Sequence, residues 1–110
     1  MKVEKKSKYT LITSDENTFS AFLTNFENGY KNVLDDHLIL FFSEEINTSI
    51  KDLLLLLDRS SAHKMRNLSF ICVTNGVEID EITEELSIVP TLEEAEDLLE
   101  MDAIERDLGF

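Results

Sequence analysis

Glycine occurs three times and proline once in 110 residues. No Ser- or Pro-rich stretch accompanies them, so no flexible linker and no composition shift marks an internal boundary. The length suits one compact domain with a single core. Cysteine is nearly absent too. The lone Cys72 excludes an internal disulfide and a thiolate metal cluster. Its setting in "SFICV" predicts a buried strand in which the thiol behaves as a small apolar group. Cationic residues are scarce, 10 against 23 acids, for a net charge of -13. That balance opposes contact with nucleic-acid phosphates and with anionic membrane surfaces, and leaves protein partners as the expectation. Long apolar runs are missing as well. The longest, residues 38–42 and 53–57, fall far short of the roughly 20 residues of a membrane span. The start "MKVEKKSKYTLIT" has no apolar stretch after its lysines and no small-residue cleavage site, so it does not read as a secretory signal, and a cytoplasmic location is expected.

The same scarcity extends to chemistry. Neither His37 nor His63 has a partner at metal-ligand spacing, and no glycine-rich loop joins a strand to a helix. No metal, no other cofactor and no catalytic group is therefore expected. Ser, His and acid residues are present, but 23 acids would supply a triad on paper by coincidence. Asp35 and Asp36 precede an apolar run instead of following it, which argues against the acidic cluster of a phospho-accepting domain, since ligands of open α/β sheets bind beyond the C-terminal ends of strands.

What is there is an alternation of strands and helices. Residues 8–13, "KYTLIT", read as a strand closed by turn residues 14–17. From Thr18, Phe19, Phe22, Leu23, Phe26, Tyr30 and Val33 recur at helical spacing, with Asn17 or Thr18 as cap. Residues 38–42, "LILFF", are continuously apolar and predict a central strand covered on both faces. A helix over 48–65, a second buried strand over 68–74, a short helical piece over 77–86, a short strand over 87–89 and a break at Pro90 follow. Thr91 with Glu94 three residues on opens a last helix, whose stripe is Leu92, Ala95, Leu98 and Leu99. The pattern predicts an α/β sandwich, with a mostly parallel sheet of about four strands and helices packed on it. Residues 1–7 read as a solvated basic arm, and 102–110 as an acidic, apolar tail.

Helix 48–65 is the most informative segment. Asn47 is the expected cap. At 100° per residue, Ile50, Leu53, Leu54, Leu57 and Ser61 share the core stripe. Thr48, Asp52, Leu55, Arg59 and Ala62 fall outside, with Ser49, Leu56 and Ser60 on the edge. Five leucines overfill a one-sided helix. A partner surface of Ser43, Glu44, Asp52, Leu55, Leu56 and Arg59 follows as an expectation.

The order of these elements resembles the STAS domain of sulphate transporters and anti-sigma-factor antagonists. "LSFICVTNGVEIDEITEELSIVPTLEEAEDLLE", residues 68–100, is similar to that family's closing pattern of strand, loop, helix, short strand and an "EEA" start of the last helix. "LILFFS" resembles its central strand, and "NTSIKDLLLLL" falls where the family has an Asp-Ser-Ser-Gly-Leu turn opening the next helix. The resemblance implies that Asn47 takes the Asp position, Thr48 the phosphorylated serine and Ser49 the second serine. Asn replaces Asp, Thr replaces Ser and Ile50 replaces the glycine, while the front end, which holds strands in the family, reads here as one strand and a helix. The function implied is non-catalytic regulation, by binding an anti-sigma factor or kinase through this helix and turn, with Thr48 or Ser49 as phospho-acceptor. Glu44, Glu45 and Asp52 would repel an added phosphate.

Two other readings belong to different classes. One is a small ligand-binding or enzyme subunit with a pocket near Ser43, Glu44, Asn47, Asn75 and Gly76, at the C-terminal ends of the strands. The other is assembly through the tail, where Ile104, Leu108 and Phe110 recur among acids and would dock on a second copy or another protein.

Overall fold

The computed structural model describes residues 1–43, 49–74 and 86–109. A five-stranded mixed sheet runs in the order β1-β2-β3-β4-β5 through β1 (Lys2–Lys5), β2 (Thr10–Ser14), β3 (Leu38–Phe42), β4 (Phe70–Val73) and β5 (Ser87–Val89). β2 to β5 are parallel, and β1 is antiparallel to β2, from Lys2 opposite Thr13 to Lys5 opposite Thr10. The helices are α1 (Phe19–Gly29), α2 (Ile50–Leu54), α3 (Leu57–Met65) and α4 (Leu92–Asp107). The architecture is α/β, with one strand more than foreseen.

The extra strand corrects the reading of residues 1–7 as an arm. "KVEK" has too little apolar character to announce a strand, yet charged residues are what an edge strand carries to discourage further pairing. The tail is corrected likewise: residues 102–107 are the last turns of α4. The helical piece expected over 77–86 lies outside the described residues, apart from Leu86, which is buried.

β3 and β4 are buried on both faces because helices cover both. Leu38, Leu40, Phe42, Phe70 and Cys72 point to the side of α1, α2 and α3. Ile39, Ile71 and Val73 point to α4, whose Ala95 and Leu99 close the second core. Thr18 caps α1 by accepting the Ala21 N–H at 3.1 Å, and Phe22 and Phe26 of that helix meet Phe42 and Phe70 edge to face. Burial pushes the Cys72 thiol up to about 12, so it stays neutral and serves as packing. Among the described residues no helix is long and apolar enough to cross a membrane.

α3 is fastened by a polar contact inside the first core. His63 is fully buried, with Nε2 2.5 Å from the Asp36 carbonyl and Nδ1 2.8 Å from the Tyr30 hydroxyl. A carbonyl only accepts, so Nε2 carries the proton and the Tyr30 O–H donates to Nδ1. Both nitrogens of a neutral ring are thereby satisfied. Burial, the largest influence, holds the His63 pKa below its ordinary value of 6.5. α3 ends with Asn67 in the left-handed region at φ 63°, a helix stop that asparagine tolerates.

Tyr30→Phe, which strips the partner from a buried ring nitrogen, is expected to lower stability by about 1–3 kcal/mol in urea unfolding. A histidine whose folded pKa is depressed leaves the unfolded chain the better proton acceptor, so its contribution is intact above 6.5 and is lost as pH falls below that value. His37, also depressed, acts in the same direction. Acidification also relieves repulsion in so acidic a chain, so the comparison that isolates the ring is between variants. His63→Phe is expected to lose less stability between neutral pH and pH of about 5.5 than the parent does.

Candidate functional site

The start of α2 is built by Ser49, not Asn47. The Ser49 hydroxyl accepts the Asp52 N–H at 3.2 Å, and the Asp52 carboxylate accepts the Ser49 N–H at 3.1 Å. This reciprocal capping box satisfies two backbone donors at once, which a cap at residue 47 would forgo. Asn47, Thr48 and Glu44 lie outside the described residues. Ser43 is half-buried, its backbone N–H donating to the Ser14 hydroxyl at 3.3 Å. Of the pocket envisaged at the C-terminal ends of the strands, Asn75 and Gly76 also lie outside the described residues.

The single helix expected over 48–65 is two helices. The Leu55 and Leu56 N–H groups donate to Asp52 and Leu53, three residues back, at 3.1 and 3.0 Å. That tightening to about three residues per turn stacks residue 56 beneath residue 53. Leu56 is therefore 0% exposed and belongs to the core beside Leu53. Its assignment to a partner surface is overturned. Leu54, expected in the core stripe, is 38% exposed, and Leu55 is 58% exposed. The inward row is Leu53, Leu56, Ser60 and His63, whose polar members hide it from a hydropathy reading.

Arg59 is occupied within the fold. Its Nε donates to Glu27 Oε2 at 2.9 Å, a second guanidinium nitrogen pairs with the same oxygen, and the group lies 4.8 Å from the Tyr30 ring centre. Arg66, two turns on, donates to the Leu34 carbonyl at 2.6 Å and pairs with Asp35. Arg59, His63 and Arg66 thus clamp α3 to the end of α1 and the loop before β3. What this leaves outward around α2 is a small surface of Ser49, Lys51, Asp52, Leu54 and Leu55.

A second polar cluster stands at the opposite, N-terminal end of the parallel strands. The Ser69 hydroxyl donates to Asp102 Oδ2 at 3.0 Å and accepts from Arg106 at 2.6 Å. His37 Nδ1 accepts the Ser69 backbone N–H at 3.0 Å. Serine, histidine and acid meet here, but the imidazole holds the amide and not the hydroxyl, so no base is placed to activate Ser69. Burial, then the charge of Arg106, lowers the His37 pKa and keeps the ring neutral. Among the described residues no group of three or more His, Cys, Asp or Glu is placed to hold a metal ion. Sequence reasoning missed this cluster. Its one local trace is the pair Asp102 and Arg106, four apart on a helix; His37 and Ser69 arrive from separate loops.

Leu56→Ala is expected to destabilise the protein by about 2–5 kcal/mol, whereas Leu55→Ala should stay within about 0.5 kcal/mol. Ser49→Ala, which opens the capping box, should cost about 1 kcal/mol. Chemical denaturation of the three variants checks the assignment of faces. In comparisons with known proteins, no family model matches the chain and no match to a curated protein is found.

Proposed function

We propose that the chain is a STAS-like regulatory or adaptor domain that binds a protein partner through the outer side of α2 and the turn before it. The observation that carries this reading is the exposed pair Leu54 and Leu55, 38% and 58% accessible. The pair stands beside the exposed Ser49 that opens the helix after the central strand. Adjacent apolar side chains held outward by a tightened turn are available to a partner and cost nothing internally.

The element order supports the family reading. A strand pair opens the chain, which removes one departure from the STAS pattern. β3 then leads to a hydroxyl-capped helix, β4 follows, and a short β5 precedes a Thr-capped last helix. An anti-sigma factor or related kinase is the partner class that goes with this reading, and no reaction is assigned to the chain. The capping box weighs against Ser49 as a phosphoryl switch, because a phosphate there would displace the Asp52 N–H and face the Asp52 carboxylate. Binding, with Thr48 or Ser49 unmodified, is the function assigned to α2.

A homo-oligomer through residues 102–110 is the second reading. It is favoured by Ile104 in the last turns of α4 and Leu108 just after it, 59% and 64% exposed, while Phe110 lies outside the described residues. Affinity capture from native cells, with Leu54→Asp/Leu55→Asp beside the parent, tests the first. The partner is expected to be lost from the double variant while its unfolding curve stays close to that of the parent. Equal recovery on both baits sinks the assignment to α2. Loss of self-association in an Ile104→Asp/Leu108→Asp variant would move the contact to α4.

A further inference from the structure

The polar cluster at the N-terminal end of the sheet borders a cavity that the partner surface on α2 does not use. It has a volume of about 430 Å³ and lies between the second half of α4 and the residues leading into β2 and β3. Pockets of about 300–1,000 Å³ are the usual size for small-molecule sites. Leu99, Ala103 and Ile104 form its apolar side, and His37, Lys8 and Arg106 its polar side, with Glu100 as the one acid. In a chain of net charge -13, this is a place where nitrogen donors outnumber carboxylates.

The donors are held in position. His37 turns Nδ1 inward to the Ser69 amide at 3.0 Å. The neutral ring therefore carries its proton on Nε2, at the far edge of a ring that lines the cavity. Among the described residues no buried side-chain nitrogen or oxygen lacks a partner, so Nε2 is not sealed in the protein. Arg106 spends one nitrogen on the Ser69 hydroxyl at 2.6 Å, and Asp102 orients that hydroxyl at 3.0 Å. The rest of the guanidinium is a fixed fork of donors. Lys8 stands at the mouth, 3.6 Å from Glu100 in an exposed pair. Such pairs are weak enough for a ligand to open.

An imidazole N–H and a guanidinium beside an aliphatic wall call for an acceptor-only head on an apolar body. We propose that this cavity binds a medium-chain monocarboxylate, its carboxylate between His37 Nε2 and Arg106 and its chain along Leu99, Ala103 and Ile104. The site is independent of the surface proposed on α2. Lys8 adds a screened charge at the entrance, and the charge-assisted bonds to Arg106 supply the orientation.

The test is a titration of the whole protein with octanoate, followed by nuclear magnetic resonance of the backbone and of the His37 ring, with octanol and inorganic phosphate as controls. Saturable shifts confined to His37, Leu99, Ala103, Ile104 and Arg106 are expected with octanoate, and much weaker ones with either control. Arg106→Gln should weaken octanoate by at least about tenfold, the scale of a lost charge-assisted hydrogen bond. If that variant disturbs the Ser69 and Asp102 contacts enough to unfold, Ile104→Glu serves in its place. It puts a second carboxylate at an already exposed position and should abolish binding without loss of fold. No saturable shift through the millimolar range, octanol or phosphate binding as tightly as octanoate, or unchanged affinity in the folded variants would overturn the proposal.

Discussion

A neutral imidazole buried between a hydroxyl and a carbonyl is the contact on which the first layer of this fold turns. His63 has two nitrogens to satisfy and is fully buried, so Tyr30 and the Asp36 carbonyl must both be in place when α3 docks. Tyr30 follows α1, and Asp36 sits two residues before β3. One ring therefore sets the end of the first helix, the entry to the central strand and the seat of α3. Arg59 and Arg66 brace the same junction from outside through Glu27, Tyr30, Leu34 and Asp35. A fully satisfied polar network of this kind admits one arrangement and penalises the others.

The outward leucines on α2 follow from that seat. With α3 held by His63, residues 52–56 bring both Leu53 and Leu56 against the aromatic core by tightening the turn. Leu54 and Leu55 are left outside as a consequence. The apolar exposure proposed to bind a partner is thus tied to the polar contact that fixes the helix behind it.

The second layer is built on α4. Among the described residues a single helix, about 10–12 Å across, lies on this face of a five-stranded sheet whose strands are spaced about 4.8 Å apart. α4 packs on β4 and β5 through Ala95, Leu99 and their neighbours, and the cavity beside His37 and Arg106 lies along its second half, next to the residues that lead into β2 and β3. Asp102 and Arg106 reach back to Ser69 just before β4, which ties the end of the helix to the bottom of the sheet and gives the cavity its polar rim.

The unbroken apolar runs of β3 and β4, the helical spacing of Phe19, Phe22 and Phe26, and the threonine cap at 91 were legible in the residues, and the cap of α1 was narrowed to Asn17 or Thr18. Each is a local pattern that answers to a local cause: burial on two faces, helical periodicity, or an unpaired backbone donor. β1 was not legible, because an edge strand needs a neighbour more than a pattern. Nor was the break at Leu55 and Leu56, because a wheel of constant pitch cannot anticipate a turn tightened by packing. His63 and Ser60 were hidden by their polarity, and His37, Ser69 and Arg106 by their distance along the chain. By itself the sequence determined the α/β alternation and the positions of most of its elements, since burial and capping act over a few residues. Only the tertiary structure decided which leucines face out and where polar groups converge, because both depend on partners brought together from distant segments.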